Sequence, residues 1–102
     1  MMQNIDLQQM QTNAEQAALL LKALANKHRL LLLCMLNEKE LSVGQLNEQL
    51  QLPQSTLSQH LGVLRKEGLV LTRRDAQTIH YSLASKEVQE IISTLYHLYC
   101  ES

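Results

Sequence analysis

Residues 51–83 read QLPQSTLSQHLGVLRKEGLVLTRRDAQTIHYSL, and within them the repeat of the apolar positions changes from that of a helix to that of a strand. Leu57, Leu61 and Leu64 recur at i, i+4 and i+7, the spacing of one buried helix face. Pro53 suits the first position of that helix, because its fixed φ is already helical and the missing N–H has no partner there in any case. Gly68 ends the helix as a left-handed cap. Beyond Gly68 the period falls to two: Leu69 and Leu71, then Tyr81 and Leu83, alternate with Val70, Thr72, His80 and Ser82, which predicts two short strands. The joining segment RRDAQT, Arg73 to Thr78, has no glycine, so a loop of about four residues is expected rather than a two-residue primed turn. Arg73 and Arg74 then fall at the hairpin tip.

Working upstream, LSVGQLNEQL (41–50) opens with Ser42 and Gln45 in a capping-box pattern, and Leu46 and Leu50 give a short helix. About four residues around Pro53 separate it from the helix of Leu57, Leu61 and Leu64. Two helices so joined have the dimensions of a helix-turn-helix, whose second helix enters a DNA major groove. Further upstream, Thr12 and Glu15 form another capping-box pattern, followed by Ala17, Leu20, Leu21 and Leu24 at helical spacing. Asn26 ends that helix and caps a second, which carries Leu30, Leu33 and Cys34 on one stripe to about Asn37. Residues 1–11 are polar and glutamine-rich, expected to be frayed or loosely helical. Downstream, Ser85 caps a last helix bearing Val88, Ile91, Ile92, Leu95 and Tyr99. The expected fold is mainly α (α+β): a winged helix-turn-helix of five helices with a two-stranded β-hairpin wing before the last, in one domain spanning 1–102.

Composition bounds the function. The chain has 102 residues, 45% of them hydrophobic, without tryptophan or phenylalanine. A core of that size is modest, so pairing with a second subunit would help stability. A net charge of −1 gives no global pull on nucleic acid, but four of the nine Lys and Arg residues, Arg65, Lys66, Arg73 and Arg74, cluster within ten positions. No signal-peptide pattern or long apolar run appears, which implies a soluble, cytoplasmic protein with no membrane partner. In that compartment the two cysteines, Cys34 and Cys100, default to free thiols, and a bridge between them would serve as a switch more than a staple. No glycine-rich phosphate loop, nucleophile elbow or zinc-protease helix is present, so an enzyme is not expected.

On a 100° wheel the buried leucines of the helix after Pro53 turn Ser55, Ser58, Gln59, Gly62 and Lys66 outward, with Gln54 and Thr56 at its tip. Short hydroxyls and amides hydrogen-bond base edges or phosphates, and glutamine suits bidentate contact with adenine. The same pattern also fits a solvated polar face. Arg73 and Arg74 would reach a flanking minor groove or phosphates, or act as charged gatekeepers of an edge strand. His28 and His60 lie near this side, as phosphate contacts or as solvated residues; His80 is expected to be exposed on the wing.

The run ALANKHRLLLLCML followed by LSVGQLNEQLQLPQSTLSQHLGVLRKEGLVLTRRDAQTIHYSL resembles the ArsR/SmtB family of small winged-helix repressors over essentially the whole chain. The most specific part is the join of STLSQHLGVLRKEGLV to an arginine-bearing wing. The resemblance implies a homodimer, paired through its first and last helices, that binds a double-stranded DNA operator until an inducer arrives. By similarity, Gln54, Ser55, Thr56, Ser58, Gln59 and His60 fall on the recognition helix and Arg73 and Arg74 on the wing. Pro53 departs from the serine common at that cap.

Many members of that family sense metals. Their Cys-Val-Cys triplet at the third helix is replaced here by Ser42, Val43 and Gly44, and their Asp-x-His early in the last helix by Ser85, Lys86 and Glu87. His97 and Cys100 are three apart, but two ligands do not close a tetrahedral site. No metal or other cofactor is therefore assigned. Cys34 and Cys100 instead resemble the dithiol of the BigR-, SqrR- and HlyU-like subgroup, which senses reactive sulfur species and oxidants. That chemistry needs one thiolate to attack sulfane sulfur or peroxide and a second thiol to resolve the product. The other readings are that both cysteines are ordinary core residues, that the repressor is metal-responsive, that the regulator has no thiol switch, or that the fold is a protein-interaction module.

Overall fold

The computed structural model describes residues 6–100. Helix α1 spans Leu7–Leu24, α2 Lys27–Met35, α3 Val43–Leu50, α4 Gln54–Lys66 and α5 Lys86–Tyr99. Three strands, β1 (Leu41–Ser42), β2 (Val70–Asp75) and β3 (Thr78–Leu83), form an antiparallel sheet in the order β1-β3-β2. The five helices and the hairpin before the last are as the sequence implies, and the two-residue β1 adds a third strand to the expected pair.

Three local expectations are corrected. Helix α1 starts ahead of Thr12: Asp6 is its N-cap and takes a hydrogen bond from the Gln9 N–H at 2.7 Å. Thr12 lies inside the helix, its hydroxyl donating to the Gln8 carbonyl at 3.2 Å, the usual outlet for a mid-helix threonine. Residues 7–11 are thus helical, and the expectation for residues 1–5 lies outside the described residues. Pro53 stands at the N-cap of α4, one position before the helix. The hairpin turn is two residues, Ala76 and Gln77, with Ala76 at φ 57°; Arg73 and Arg74 are strand residues, not the tip. An alanine holding a left-handed φ costs about 1 kcal/mol, and continuous pairing from Val70–Leu83 to Asp75–Thr78 outweighs it.

That register also settles which residues face in. The chain leaves α4 through a Schellman turn, with Gly68 at φ 74° and the N–H groups of Gly68 and Leu69 donating to the Arg65 and Leu64 carbonyls. Leu69 and Leu64 are both buried. The strand proper begins at Val70, so Val70, Tyr81 and Leu83 point into the core while Leu71 is 57% exposed.

Helix α2 is central and packs against α1, α4 and α5. Its Leu32 and Leu33 are fully buried, and Leu30 and Cys34 sit at the core's edge. Asn26 caps it, accepting from the His28 and Arg29 N–H groups. Ser42 and Gln45 make the capping box of α3 in full, and Ser85 caps α5. Among the described residues, no helix is long and apolar enough to cross a membrane.

Candidate nucleic-acid interface

The turn between α3 and α4 sets the pose of the helix that would enter a groove. Gln51 occupies the left-handed region at φ 54°. Asn47 pins the reversal from inside: its Nδ2 donates to the Leu52 carbonyl at 3.0 Å, and its Oδ1 accepts from the Leu52 N–H at 2.8 Å. Leu57, Leu61 and Leu64 are buried as expected. They leave Gln54, Ser55, Ser58, Gln59, Gly62 and Lys66 exposed, and Thr56 partly so. A Cβ on Gly62 would meet no protein atom within 4 Å, so packing places no demand for glycine there.

His60 does not join this face. It is half-buried and turned toward α2, where its ring lies 5.7 Å from that of His28. The Nδ1 atoms of both rings are buried without a hydrogen-bond partner. Burial, then the positive charges of Arg29 and His28, push the His60 pKa below its ordinary value of 6.5. Arg29 is itself anchored, its Nε donating to the Ala23 carbonyl at 2.7 Å at the end of α1.

The two wing arginines part company. Arg73 forms a forked ion pair with Glu40, with Nη2 to Oε1 at 2.8 Å and Nε to Oε2 at 3.0 Å. The hydrogen bond to Arg73 holds the Glu40 carboxyl below its usual value. His80 is half-buried rather than exposed, opposite Arg73 on β3. Arg74 donates to the Ala76 carbonyl at 3.1 Å and is in no ion pair among the described residues.

The cysteines lie apart from this surface. Cys34 is half-buried near the end of α2, and Cys100, at the C-terminal end of α5, is exposed. Both are free thiols. Burial pushes the Cys34 thiol up, and so does the nearby charge of Cys100. Ser93 on α5 donates to Asn37 at 3.5 Å, tying α5 to the turn that follows Cys34. Among the described residues, no three His, Cys, Asp or Glu side chains are grouped to hold a metal ion.

Residues 26–72, from the cap of α2 into the wing, match the family described as "Bacterial regulatory protein, arsR family". The Vibrio cholerae "Transcriptional activator HlyU" is 53% identical over 98 residues, which cover 96% of this chain and 91% of that protein. This chain belongs to the ArsR family. The "Biofilm growth-associated repressor" of Agrobacterium fabrum is 47% identical, over 94% of this chain and 82% of its own. Among solved structures, "Reduced HlyU from Vibrio cholerae N16961" is 55% identical with a TM-score of 0.89, covering 92% of this chain and 99% of that one. The repressor BigR from Xylella fastidiosa gives 41% and 0.83, covering 96% and 100%. This ArsR-family protein is accordingly a DNA-binding transcriptional regulator and not an enzyme, with the winged helix of these neighbours.

Four residues that matter here were not singled out from sequence. Asp6, Arg29, Glu40 and Asn47 act through bonds to backbone or to distant side chains, and none carries a periodic signal. Only Asn47 offered a hint, as an amide a few residues before a proline-marked reversal.

Proposed function

We propose that the protein is a homodimeric, cytoplasmic repressor whose affinity for a double-stranded operator is set by the redox state of Cys34 and Cys100. The observation that carries the DNA reading is the exposed polar face of α4, Gln54, Ser55, Thr56, Ser58, Gln59 and Lys66, set beside a wing that bears Arg74. The dimer reading rests on the apolar residues that α1 and α5 leave in solvent. Leu7, Met10 and Leu21 recur on one stripe of α1, and Leu98 and Tyr99 close α5, all exposed. A second copy would cover them and set two recognition helices about 34 Å apart, one turn of B-form DNA.

The placement of Cys34 near the end of α2, which packs against the helix α5 that Cys100 closes, supports the switch, as does the description of the Vibrio cholerae relative's structure as the reduced protein. With peroxide, the exposed Cys100 thiolate attacks one oxygen, giving a sulfenic acid and releasing the other oxygen as water after protonation. The Cys34 thiolate then displaces the sulfenic oxygen as a second water, and the two thiols have given two electrons to the oxidant. With a persulfide, Cys100 takes the sulfane sulfur and releases the carrier thiol, and attack by Cys34 expels hydrogen sulfide. The bridge would fasten α5 to α2, the helix that packs against α4.

The test is operator binding by reduced protein and by protein treated with glutathione persulfide or peroxide, with intact mass read on the same samples. Affinity should fall as the Cys34–Cys100 link forms, and Cys100→Ser should abolish both changes. Equal affinity in the two states would remove the switch and leave the thiols as packing residues.

A further inference from the structure

We propose that Arg73 is a positioning residue of the wing: Glu40 holds its guanidinium against the body of the protein, and the wing's backbone contact to DNA falls to Arg74. The inference rests on the DNA-binding reading above and divides its labour between two adjacent arginines that the sequence does not distinguish.

The geometry carries it. Arg73 pairs with His80, and Ser42 of β1 pairs with the same His80 from the other side, so the three side chains share one face of the sheet. Glu40 precedes β1 and lies level with Ser82, because Leu41 pairs with Tyr81. Ser82 is two residues farther from the Ala76–Gln77 turn than His80, or about 7 Å along a strand. The Arg73 guanidinium therefore crosses β3 and points back from the wing tip, where its fork and the carboxylate meet in a two-bond pair.

Charge agrees with direction. Glu40 and Asp75 both act on Arg73 and hold its charge in place, so this group of side chains presents no net positive charge to a phosphate. Arg74, one residue nearer the turn, donates to the Ala76 carbonyl and, among the described residues, is in no ion pair. The Glu40–Arg73 pair is also solvent-exposed, at 37% and 55%. An exposed pair contributes little to folding stability, so its removal leaves a folded protein whose wing is set differently. Beyond the buried Val70, Tyr81 and Leu83, β1 contributes only two paired residues to the sheet, and the ion pair adds a further tie between the wing and the body, across 33 residues of chain.

The experiment is a cycle of variants, Glu40→Gln, Arg73→Ala, the double substitution, and the swap Glu40→Arg with Arg73→Glu, with Arg74→Ala as the reference. Each is titrated over a range of salt against a duplex of about 30 base pairs, long enough for two half-sites a helical turn apart, selected from a random pool by the wild-type protein. Circular dichroism of each variant establishes that it is folded. The expected result is that Glu40→Gln, Arg73→Ala and their combination all weaken binding by a similar factor, about 3- to 10-fold, with the salt dependence unchanged, because they remove one shared tie. Arg74→Ala should flatten the salt slope by about 1 for each protomer bound, about 2 for the dimer. The swap should recover most of the lost affinity, although it places a carboxylate on the wing.

The proposal is overturned if Arg73→Ala flattens the salt slope while Glu40→Gln leaves affinity unchanged or raises it, which is the behaviour of a phosphate contact restrained by an acid. It is overturned equally if the swap binds worst of all, or if neither single variant differs from the wild type. A wild-type protein that selects no duplex from the pool brings down the DNA-binding reading itself, and this inference with it.

Discussion

Gly62 shows how a single residue separates stability from function. It sits in the exposed middle of α4, with open space where a side chain would be. Glycine inside a helix costs about 0.5–1 kcal/mol relative to alanine, and neither packing nor φ requires it here. Gly62→Ala should therefore raise the urea midpoint by an amount equivalent to about 0.5–1 kcal/mol. If the backbone of α4 approaches DNA at this position, the same change should weaken operator binding. A variant that is both more stable and an equal or better binder would place the groove elsewhere. His60 gives a second case. Its pKa lies below the ordinary 6.5 because burial and the charges of Arg29 and His28, the groups facing it from α2, oppose protonation. The unfolded chain takes up this proton first, so the contribution of neutral His60 is complete above pH 6.5 and is lost as pH falls through that value toward the folded pKa. The melting temperature should fall on acidification from about pH 7.5 to 5.5, and less steeply in His60→Gln. Parallel falls in the two proteins would assign the titration to other groups.

At the scale of elements, the sequence was most legible where one residue type has one local use. The caps at Asn26, Ser42 and Ser85 and the stop at Gly68 could be read directly, because each side chain or φ satisfies the backbone it sits on. The polar face of α4 followed from the same periodicity that located its buried leucines. The hairpin turn is shorter than its residues imply because it is set by cross-strand register over six residue pairs, which overrides the preference of Ala76. β1 was invisible, since two residues cannot show a period. The family resemblance assigns His60 to the recognition helix but carries no information on what approaches from α2, and nothing local to Arg73 reveals its partner, because Glu40 is 33 residues away. The Asn47 bridge belongs to the same class of long-reaching contacts. Its two bonds to Leu52 replace peptide hydrogen bonds that the reversal between α3 and α4 cannot make. Asn47→Ala should cost about 1–3 kcal/mol by leaving the Leu52 groups unpaired, and Asn47→Asp, which keeps the acceptor, should cost less. Equal losses in chemical denaturation would mean that the amide donor carries the turn.

The whole molecule is more extended than its length requires. Its radius of gyration is 15.4 Å, against about 13 Å for a compact domain of about 100 residues, and most of α1 lies in solvent with only Ala23 and Leu24 buried. A helix with Leu21 59% exposed and a partner helix with Leu98 68% exposed call for a cover. Sedimentation of the reduced protein at micromolar concentration should give the mass of two chains, and Leu21→Glu should shift it to one. A two-chain mass that survives this change would put the contact on another face.

Ser42 belongs to two elements at once: it pairs with His80 in the sheet and caps α3 with its hydroxyl. No linker separates the wing from the helix-turn-helix, so the two readers form a rigid stamp. Such a body cannot adjust to the double helix; the double helix must adjust to it. The energy of bending the duplex and altering its groove width then enters the choice of sequence. Flexible pyrimidine–purine steps between the half-sites should bind more tightly than stiff A-tracts, at base pairs that no side chain touches.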